Sequence, residues 1–558
     1  MEISTPSPTS TTSTSTSTNS PSPSKPTPNL DHGADTQLQR TLSTRHLTMI
    51  ALGSSIGMGL WLGSGTSLRN GGPAALVLGY ILAGTMVWSV SHAIGEMAVL
   101  YPLPSAFVQW SSMFISPAVG FAVGWAYWFG AWITIANELQ GVVTVLRFWP
   151  GTAAIPTAAW LTIFWLVIIL INAFAVRFFG EVEVVSSTIK FCWIFVVIIS
   201  LAVVSASGTP SQPPIGFHHW TTTPFRHGFK GFLSVLPTCI FAMSGSETAA
   251  LVASETQNPR KSVPRAVSSI WLRLALFYIL GSLAITITVD PGDPDLFGAG
   301  SGGGSGSGRN ESPFVLAYRN AGPTVLAHMM NGVIFISVVS TGSVAAYGGS
   351  RFLLGLSEVG MAPRIFRLAD TQGRPLYSLL LTLSLGGGLS YLNATASGAT
   401  VFTWFSHLTS LFTLFGWGCI CLSHLRMRKA WKIQGRRESE LPWRSWAVPW
   451  ASWWGVVWCG VLLGAEFWLA VWPLDVDLQG EEGMGRVDRV KHFFANYVSV
   501  VVIVLVYGGA RWWFGGRWWV DLDKVDLDAK RRFYVAGDEE GGSPRKGFVK
   551  RVVDAVLR

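Results

Sequence analysis

The stretch RHLTMIALGSSIGMGLWLGSG, from Arg45 to Gly65, decides how the rest of the chain is read. It opens on Arg45 and His46, runs apolar from Leu47 to Leu52, and is then interrupted by Gly53, Ser54, Ser55, Gly57 and Gly59 before apolar character resumes at Leu60. A helix broken there leaves backbone N–H and C=O groups unpaired, which in a lipid interior is tolerated only where the break faces protein or a water-filled cavity. The interruption is therefore a candidate binding site. The same residues carry a second reading. Gly53 and Gly57, and again Gly59 and Gly63, are spaced as small residues are where two membrane helices approach closely. On periodicity alone, packing and binding both stay open. A phosphate loop is not indicated, because Leu62 stands at the third position such a loop requires and no strand precedes it.

Composition, read outward from that stretch, places it in a membrane. Of 558 residues, 49% are hydrophobic and only 13% charged, and the mean hydropathy is +0.39. That is more apolar than a globular surface tolerates, so the chain is predicted to be an all-α polytopic membrane protein. A net charge of +9 would suggest nucleic acid in a soluble chain. Here the basic residues cluster between apolar segments, which points to membrane topology and anionic lipid headgroups, not to a nucleic acid partner. Cys192, Cys239, Cys419, Cys421 and Cys459 all fall inside apolar runs. They suggest neither a disulfide framework nor a metal site, and no cofactor is called for.

Residues 1–44 are rich in Ser, Thr and Pro and are expected to form a disordered cytoplasmic tail. No apolar run follows the first Met as a secretory signal would require. Lys25 is the only lysine before Lys190 and stands where trafficking or ubiquitination machinery could reach it. The plainer reading is a solvated lysine with no role. Residues 45–515 form the predicted transmembrane domain. After the first stretch, apolar runs long enough to span recur near 75–99, 119–148, 158–178, 184–206, 231–253, 268–289, 324–349, 376–393, 401–424, 448–470 and 493–513, giving about twelve spans. Residues 516–558 are predicted to be a charged cytoplasmic tail.

Arg260, Lys261 and Arg265 follow the sixth run. Arg351, Arg364, Arg367 and Arg374 follow the eighth, and Arg426, Arg428, Lys429, Lys432, Arg436, Arg437 and Arg444 follow the tenth. The positive-inside rule then puts both termini in the cytoplasm. The loop after the seventh run carries Asp290, Asp293, Asp295, a Gly/Ser run and the sequon Asn310-Glu311-Ser312, all compatible with the outer side.

Further motifs follow the opening stretch in a fixed order: Gly72-Pro73, GEMAVLYP (95–102), PAVGFAVGWAYWFGAW (117–132), Glu138 and FGEVEVVSSTIK (179–190). Then come FAMSGSETAALVASETQNPRKSVPRA (241–266), SRFLLGLSEVGMAPRIF (350–366) and HLRMRKAW (424–431). Over residues 45 to about 432 this order resembles the fungal amino acid permeases, the yeast amino acid transporter family of the amino acid–polyamine–organocation superfamily. The resemblance implies an inverted five-plus-five repeat with broken first and sixth helices, plus two C-terminal helices. It also implies amino acid transport by alternating access in the plasma membrane, coupled to protons. Half-helix ends offer N–H groups to a carboxylate and carbonyls to an ammonium, and an α-amino acid carries both charges.

Carried over residue by residue, the resemblance implies that Ser54, Ser55, Ile56, Gly57, Met58 and Gly59 receive the carboxylate through backbone N–H groups. Phe241 would act as an aromatic gate, and Ala242, Ser244 and Gly245 would hold the ammonium. Met58 stands where the family more often has a small hydroxyl residue, and Trp61 where it has Phe, departures that could re-shape the pocket. Three ionisable residues stand inside spans, where a charge is a functional hypothesis by default: Glu138, Lys190 and Glu247. Lys190 matches a lysine that related transporters place beside the first break, where losing or gaining a proton mimics an absent sodium ion. The rival reading is a permanently charged lysine neutralised by Glu181 or Glu183. Glu138 could contact the ligand ammonium or bond to a neighbouring helix, and Glu247 could gate towards the cytoplasm. Glu255 reads as a structural loop anchor. His407 and Thr409 are candidates for the side-chain end of the pocket.

No nucleophile motif or ATP-binding loop is present, so the expectation is a gradient-driven carrier and not an enzyme. Two rival functions remain: an amino acid sensor with the same site, and a permease for a cationic amine such as choline or a polyamine.

Overall fold

Long apolar runs alternate with short basic loops, and the chain accordingly folds into helices that cross and recross one body. The computed structural model describes residues 42–256, 258–298, 310–370, 372–394, 398–474, 486–515 and 517–532. Lys25 with nearly all of the predicted N-terminal tail, most of the Gly/Ser run and the end of the C-terminal tail lie outside the described residues.

The first span consists of α1 (Thr44–Gly53), α2 (Met58–Trp61) and α3 (Gly63–Gly71). There follow α4 (Pro73–Leu100), α5 (Ala106–Phe114), α6 (Pro117–Leu146), α7 (Thr157–Ala173), α8 (Val176–Ser207) and α9 (His218–Thr222). The sixth span is α10 (Gly228–Met243) and α11 (Thr248–Ala253), and the seventh is α12 (Pro259–Arg273), a π-helical turn Leu274–Leu280 and α13 (Gly281–Thr286). The remainder are α14 (Pro313–Ala321), α15 (Thr324–Glu358), α16 (Leu376–Ser390), α17 (Gly398–Ile433), α18 (Trp450–Val471) and α19 (Arg486–Phe514).

Among the described residues, nine helical stretches are long and apolar enough to cross a membrane, and the first span, bent by 55° before α3, makes a tenth. α7 and α16 coincide with the other two predicted runs. At 17 and 15 residues they rise about 25 Å or less, short of a hydrocarbon core of about 30 Å. Burial separates centre from rim. In the sixth span 89% of the apolar window is buried inside the protein, against 22% in α19. The broken spans therefore sit at the centre, and α8, α18 and α19 face outward.

Two features pin the centre to its surroundings. Glu255, just past α11, is buried and accepts hydrogen bonds from Tyr347 Oη at 2.8 Å and Arg351 Nε at 2.9 Å. Its own carbonyl receives the Leu42 N–H at 3.2 Å, so the chain before α1, the end of the sixth span and α15 meet on one residue. The second feature is a strap. Residues 517–532 lie along the body: Val520 N donates to Ile115 O at 2.9 Å, Tyr101 Oη to Leu527 O at 2.9 Å and Arg532 N to Leu100 O at 3.0 Å. The Arg436 guanidinium beside Asp528 holds that carboxyl below the usual carboxylate range.

Candidate functional site

At the first break the helix stops because Ser54, Ser55 and Gly57 do not sustain it, and the freed carbonyls are met from other spans. Ile56 O accepts from Ser337 Oγ at 2.6 Å and from Thr341 Oγ1 at 3.0 Å, both on α15. Gly53 O accepts from Lys190 Nζ of α8 at 3.1 Å, and Ala51 O from Arg273 Nη1 of α12 at 2.5 Å. Gly53 O also accepts from Ile56 N at 3.1 Å, whereas Ala51 O and Ile56 O are met by these side chains at the break, where a free carbonyl inside the membrane domain is costly.

The sixth-span break has a different local cause. Ser244 Oγ and Ser246 Oγ turn back onto the carbonyls of Phe241 and Met243, at 2.8 and 2.5 Å, competing with the helical ladder. Between them Gly245 adopts φ +87°, a conformation that favours glycine because it has no Cβ. The two breaks touch: Ser54 Oγ donates to Gly245 O at 3.2 Å. The seventh span braces both. Tyr278 Oη donates to Ala242 O at 2.7 Å and lies 3.2 Å from Ser55 Oγ, while Arg273 Nη2 donates to Ser246 Oγ at 2.6 Å. The π-helical turn between Arg273 and Tyr278 is the kind of helix irregularity that often accompanies functional positions.

The close helix approach read from the opening glycines is realised at Gly59. A Cβ added at Gly59 would stand 2.6 Å from Ala242 Cα, so α2 and α10 touch backbone to backbone, and the break beside that contact lines a cavity. The space around the two breaks amounts to about 740 Å³ including the part open to solvent.

Ser54, Ser55, Gly59, Glu138, Phe241, Ala242, Ser244, Gly245 and Glu247 all line the cavity. Ile56, Gly57 and Met58 do not. Ile56 turns its carbonyl to α15, and the Met58 side chain packs on Gly141, where an added Cβ would meet Met58 Sδ at 2.6 Å. Trp61, the second departure from the family pattern, points away as well. Its Nε1 donates to Ser337 Oγ at 2.8 Å, and its ring packs edge-on against Phe314 and Phe277.

Glu138 takes a place that the resemblance gave to a ligand. Both carboxylate oxygens accept from Met58 N, at 3.2 and 3.1 Å, because that N–H is at the positive end of the resumed helix. Lys190 lies behind the cavity wall. It also donates to Ser340 Oγ at 3.0 Å, and Ser340 Oγ donates to Glu183 Oε2 at 2.6 Å. Of the two acids named as neighbours of Lys190, Glu183 is reached through that hydroxyl, whereas Glu181 pairs with Arg45 and His46. Glu247 accepts from Trp417 Nε1 at 3.2 Å. The Phe241 ring, which lines the cavity, is backed by Phe402 edge-on at 5.9 Å, and Phe402 in turn by Phe297 at 5.4 Å. Thr409 reaches the cavity and His407 does not line it.

Two glycines set the room for a side chain. A Cβ at Gly130 would have only Phe412 Cβ at 3.8 Å and Thr409 Cγ2 at 4.0 Å, and one at Gly348 only Leu251 Cδ1 at 3.7 Å and Phe352 Cε2 at 3.8 Å. Packing does not require glycine at either position, so their bare backbones leave space in the cavity. Gly130→Leu is expected to cut competition by phenylalanine and tryptophan at least tenfold while leaving alanine uptake within about twofold, from apparent Ki values against labelled alanine. Equal losses for large and small amino acids would contradict this.

Sequence reasoning passed over the buried Glu96, which pairs with Arg428 and His424, and two further buried charged groups. Arg273 closes the basic segment that starts at Arg260, so it reads as a flanking charge, although its place at the start of an apolar run was a usable signal. Glu466 stands inside the eleventh apolar run, where the rule that found Glu138 would also have found it.

Comparison with known proteins accords with this geometry. A family model described as "Amino acid permease" matches residues 46–524. "General amino-acid permease GAP2" of Candida albicans is 38% identical over 503 residues, 89% of this chain and 82% of that protein. "Amino-acid permease GAP5" of the same organism is 36% identical over 504 residues, 90% and 78% of the two chains. "Cationic amino acid transporter 1" of Schizosaccharomyces pombe is 37% identical over 516 residues, 91% and 84%.

Proposed function

Since the chain belongs to the amino acid permease family and transports amino acids across a membrane, we propose that it carries them inward with protons, by alternating access around the two broken spans. The observation that carries this reading is Lys190 Nζ on Gly53 O, inside a span and linked through Ser340 to Glu183. A charged lysine holds the carbonyl end of α1 as a bound cation would, and a neutral one releases it. Proton loss from Lys190 then changes how firmly α1 is held, which couples a proton gradient to the movement of the first span.

In the same reading the amino acid carboxylate takes over the Met58 N–H from Glu138, and a protonated Glu138 gives up that bond at no cost in buried charge. The ammonium faces the carbonyls of the sixth-span break beside Ala242, Ser244 and Gly245, with Phe241 as the gate above it and Glu247 on the opposite side. The basic loops favour cytoplasmic termini, and the family resemblance supports the reading of an inward carrier at the plasma membrane.

A narrower reading, that the substrate is a cationic amino acid, is favoured by one observation. The cavity is lined by Glu138 and Glu247 and, among the described residues, by no lysine, arginine or histidine. Uptake of labelled leucine, phenylalanine, lysine and arginine into permease-deficient yeast, at two external pH values and with an uncoupler, tests both. Saturable uptake that rises at acid pH and collapses with the uncoupler supports proton coupling, and preference for lysine and arginine supports the narrower reading. Uptake indifferent to pH and uncoupler sinks the coupling. Inhibition by decarboxylated amines as strong as by amino acids sinks the role of the first break.

A further inference from the structure

We propose that Glu466 is a second proton-carrying carboxyl, outside the amino acid cavity and joined to it by a polar face of α17. The inference rests on the proton-coupled reading and adds a path by which the proton reaches Glu138.

Glu466 lies on α18 and is buried. Its Oε1 is 3.3 Å from Ser410 Oγ, and its Oε2 has no hydrogen-bond partner among the described residues. A buried carboxylate without a cation is costly, and a membrane domain keeps one chiefly where protons or ions pass. The elements packed against α18 are α17, α19, α4 and α10. α17 brings Ser410 and, one turn away, His407. α19 brings His492 beside Asn496, and Tyr497, whose hydroxyl donates to Leu463 O at 3.3 Å. On α4, Tyr80 bonds Ser64, His92 bonds Ser445, and Glu96 is paired with Arg428 and His424. α10 offers Cys239.

The polar face of α17 consists of Ser406, Thr409, Ser410 and Thr413, spaced as the inner stripe of a helix and all buried. On one flank of this face Ser410 meets Glu466. On the other, the adjacent Thr409 lines the cavity together with Glu138, and its Oγ1 has no partner among the described residues. Ser406 Oγ accepts from Asn137 Nδ2 at 3.4 Å, next to Glu138 in α6. Ser406 and Ser410 are one turn apart, about 5–6 Å, a gap that a bridging water spans.

Ser410 is suited to relay a proton. Its single hydroxyl hydrogen can point to His407 O, at 2.9 Å, or to Glu466. When that hydrogen turns instead to a water bridging towards Ser406, a protonated Glu466 donates to a lone pair of Ser410 Oγ, and Ser410 hands its own proton to the water. Each hydroxyl or water along the face accepts one proton and passes one on. The net change is one proton lost by Glu466 and one gained by the Glu138 carboxylate, with no other bond altered.

Purified wild-type and E466Q proteins in proteoliposomes, with an inward proton gradient, test the proposal. Glutamine keeps the shape and the hydrogen bond of the acid but carries no exchangeable charge, so a purely structural Glu466 predicts wild-type behaviour. The relay predicts that gradient-driven accumulation falls at least tenfold, while amino acid counterflow, which needs no net proton movement, stays within about twofold. Wild-type accumulation by E466Q overturns the proposal. So does loss of counterflow in monodisperse protein, which would place Glu466 in the passage of the amino acid itself. If E466Q does not purify as monodisperse protein, S410A carries the same pair of readouts. A wild-type protein indifferent to the gradient would instead overturn the proton-coupled reading, so the two failures are distinguishable.

Discussion

Replacing Lys190 by methionine is expected to abolish acid-stimulated accumulation and to lower initial uptake at subsaturating substrate roughly 10- to 100-fold. The size follows from what the side chain holds. Lys190 Nζ donates to Gly53 O at 3.1 Å and to Ser340 Oγ at 3.0 Å, and a hydrogen bond involving a charged group is worth about 1.5–3 kcal/mol. Losing the bond to Gly53 also leaves that carbonyl with only the Ile56 N–H and leaves Glu183 without a cation across Ser340. Lys190→Arg separates charge from titration. A guanidinium keeps the positive charge but does not release its proton at physiological pH, so this variant should retain counterflow exchange and still fail to accumulate. Initial rates between pH 4.5 and 7.5, with counterflow measured on the same membranes, check both variants. Unchanged acid stimulation in Lys190→Met would remove Lys190 from the coupling.

Arg351→Ala is expected to destabilise the protein by about 3–5 kcal/mol, the usual consequence of removing one partner of a buried ion pair. Glu255 and Arg351 are 1% and 5% exposed, and the Arg351 guanidinium carbon stands 3.8 Å from the Tyr347 ring centroid. Without the arginine, Glu255 keeps only the Tyr347 hydroxyl, and the junction of Leu42, the sixth span and α15 holds an uncompensated charge. With the usual unfolding entropy per residue and 558 residues, each kcal/mol shifts the midpoint by roughly 1 °C, so the thermal transition in detergent should fall by about 3–5 °C. A double-mutant cycle with Glu255→Ala gives the sharper check. The double variant should be less destabilised than the sum of the single ones, because the stranded charge is then gone. Strict additivity would mean that the pair does not act as a unit.

How far the site could be read from the chain depended on whether a residue's partners were near in sequence or far. The first-span break was legible because serine and glycine interrupt an apolar run in place. The sixth-span break came only with the resemblance, at Ala242, Ser244 and Gly245, because residues 231–253 read as one apolar run. Lys190 was legible as an isolated charge in an apolar segment, and its contact with Gly53 O agrees with the expectation drawn from the resemblance. Glu138 occupying the Met58 N–H was not legible. It joins the first and third spans, and no periodicity in either one encodes the other. Arg273 failed for another reason: at the boundary of a basic loop and an apolar run, a buried and a solvated arginine look alike until the helices are packed. Met58 and Trp61 looked able to alter the pocket, yet both are accommodated outside it, by Gly141 and by Ser337. The C-terminal strap escaped because many of its bonds, at Val520, Leu527 and Arg532, run through backbone atoms that carry no residue signature, and its Asp528–Arg436 pair joins residues 92 apart in the chain.

That preference for backbone atoms returns at the centre of the molecule. Lys190, Arg273, Tyr278, Ser337 and Thr341 all donate to main-chain carbonyls of the broken spans. A carbonyl belongs to every amino acid, so mutation cannot delete the acceptor, whereas each donor is one codon change from being lost. Saturation mutagenesis should therefore be lopsided across these contacts. The donors should tolerate almost nothing, and Ala51, Ile56 and Ala242 should be limited by volume and be indifferent to side-chain hydrogen bonding. Lineages of such carriers can then vary the lining of the breaks, and with it the ligand, without rebuilding the frame that holds the breaks open.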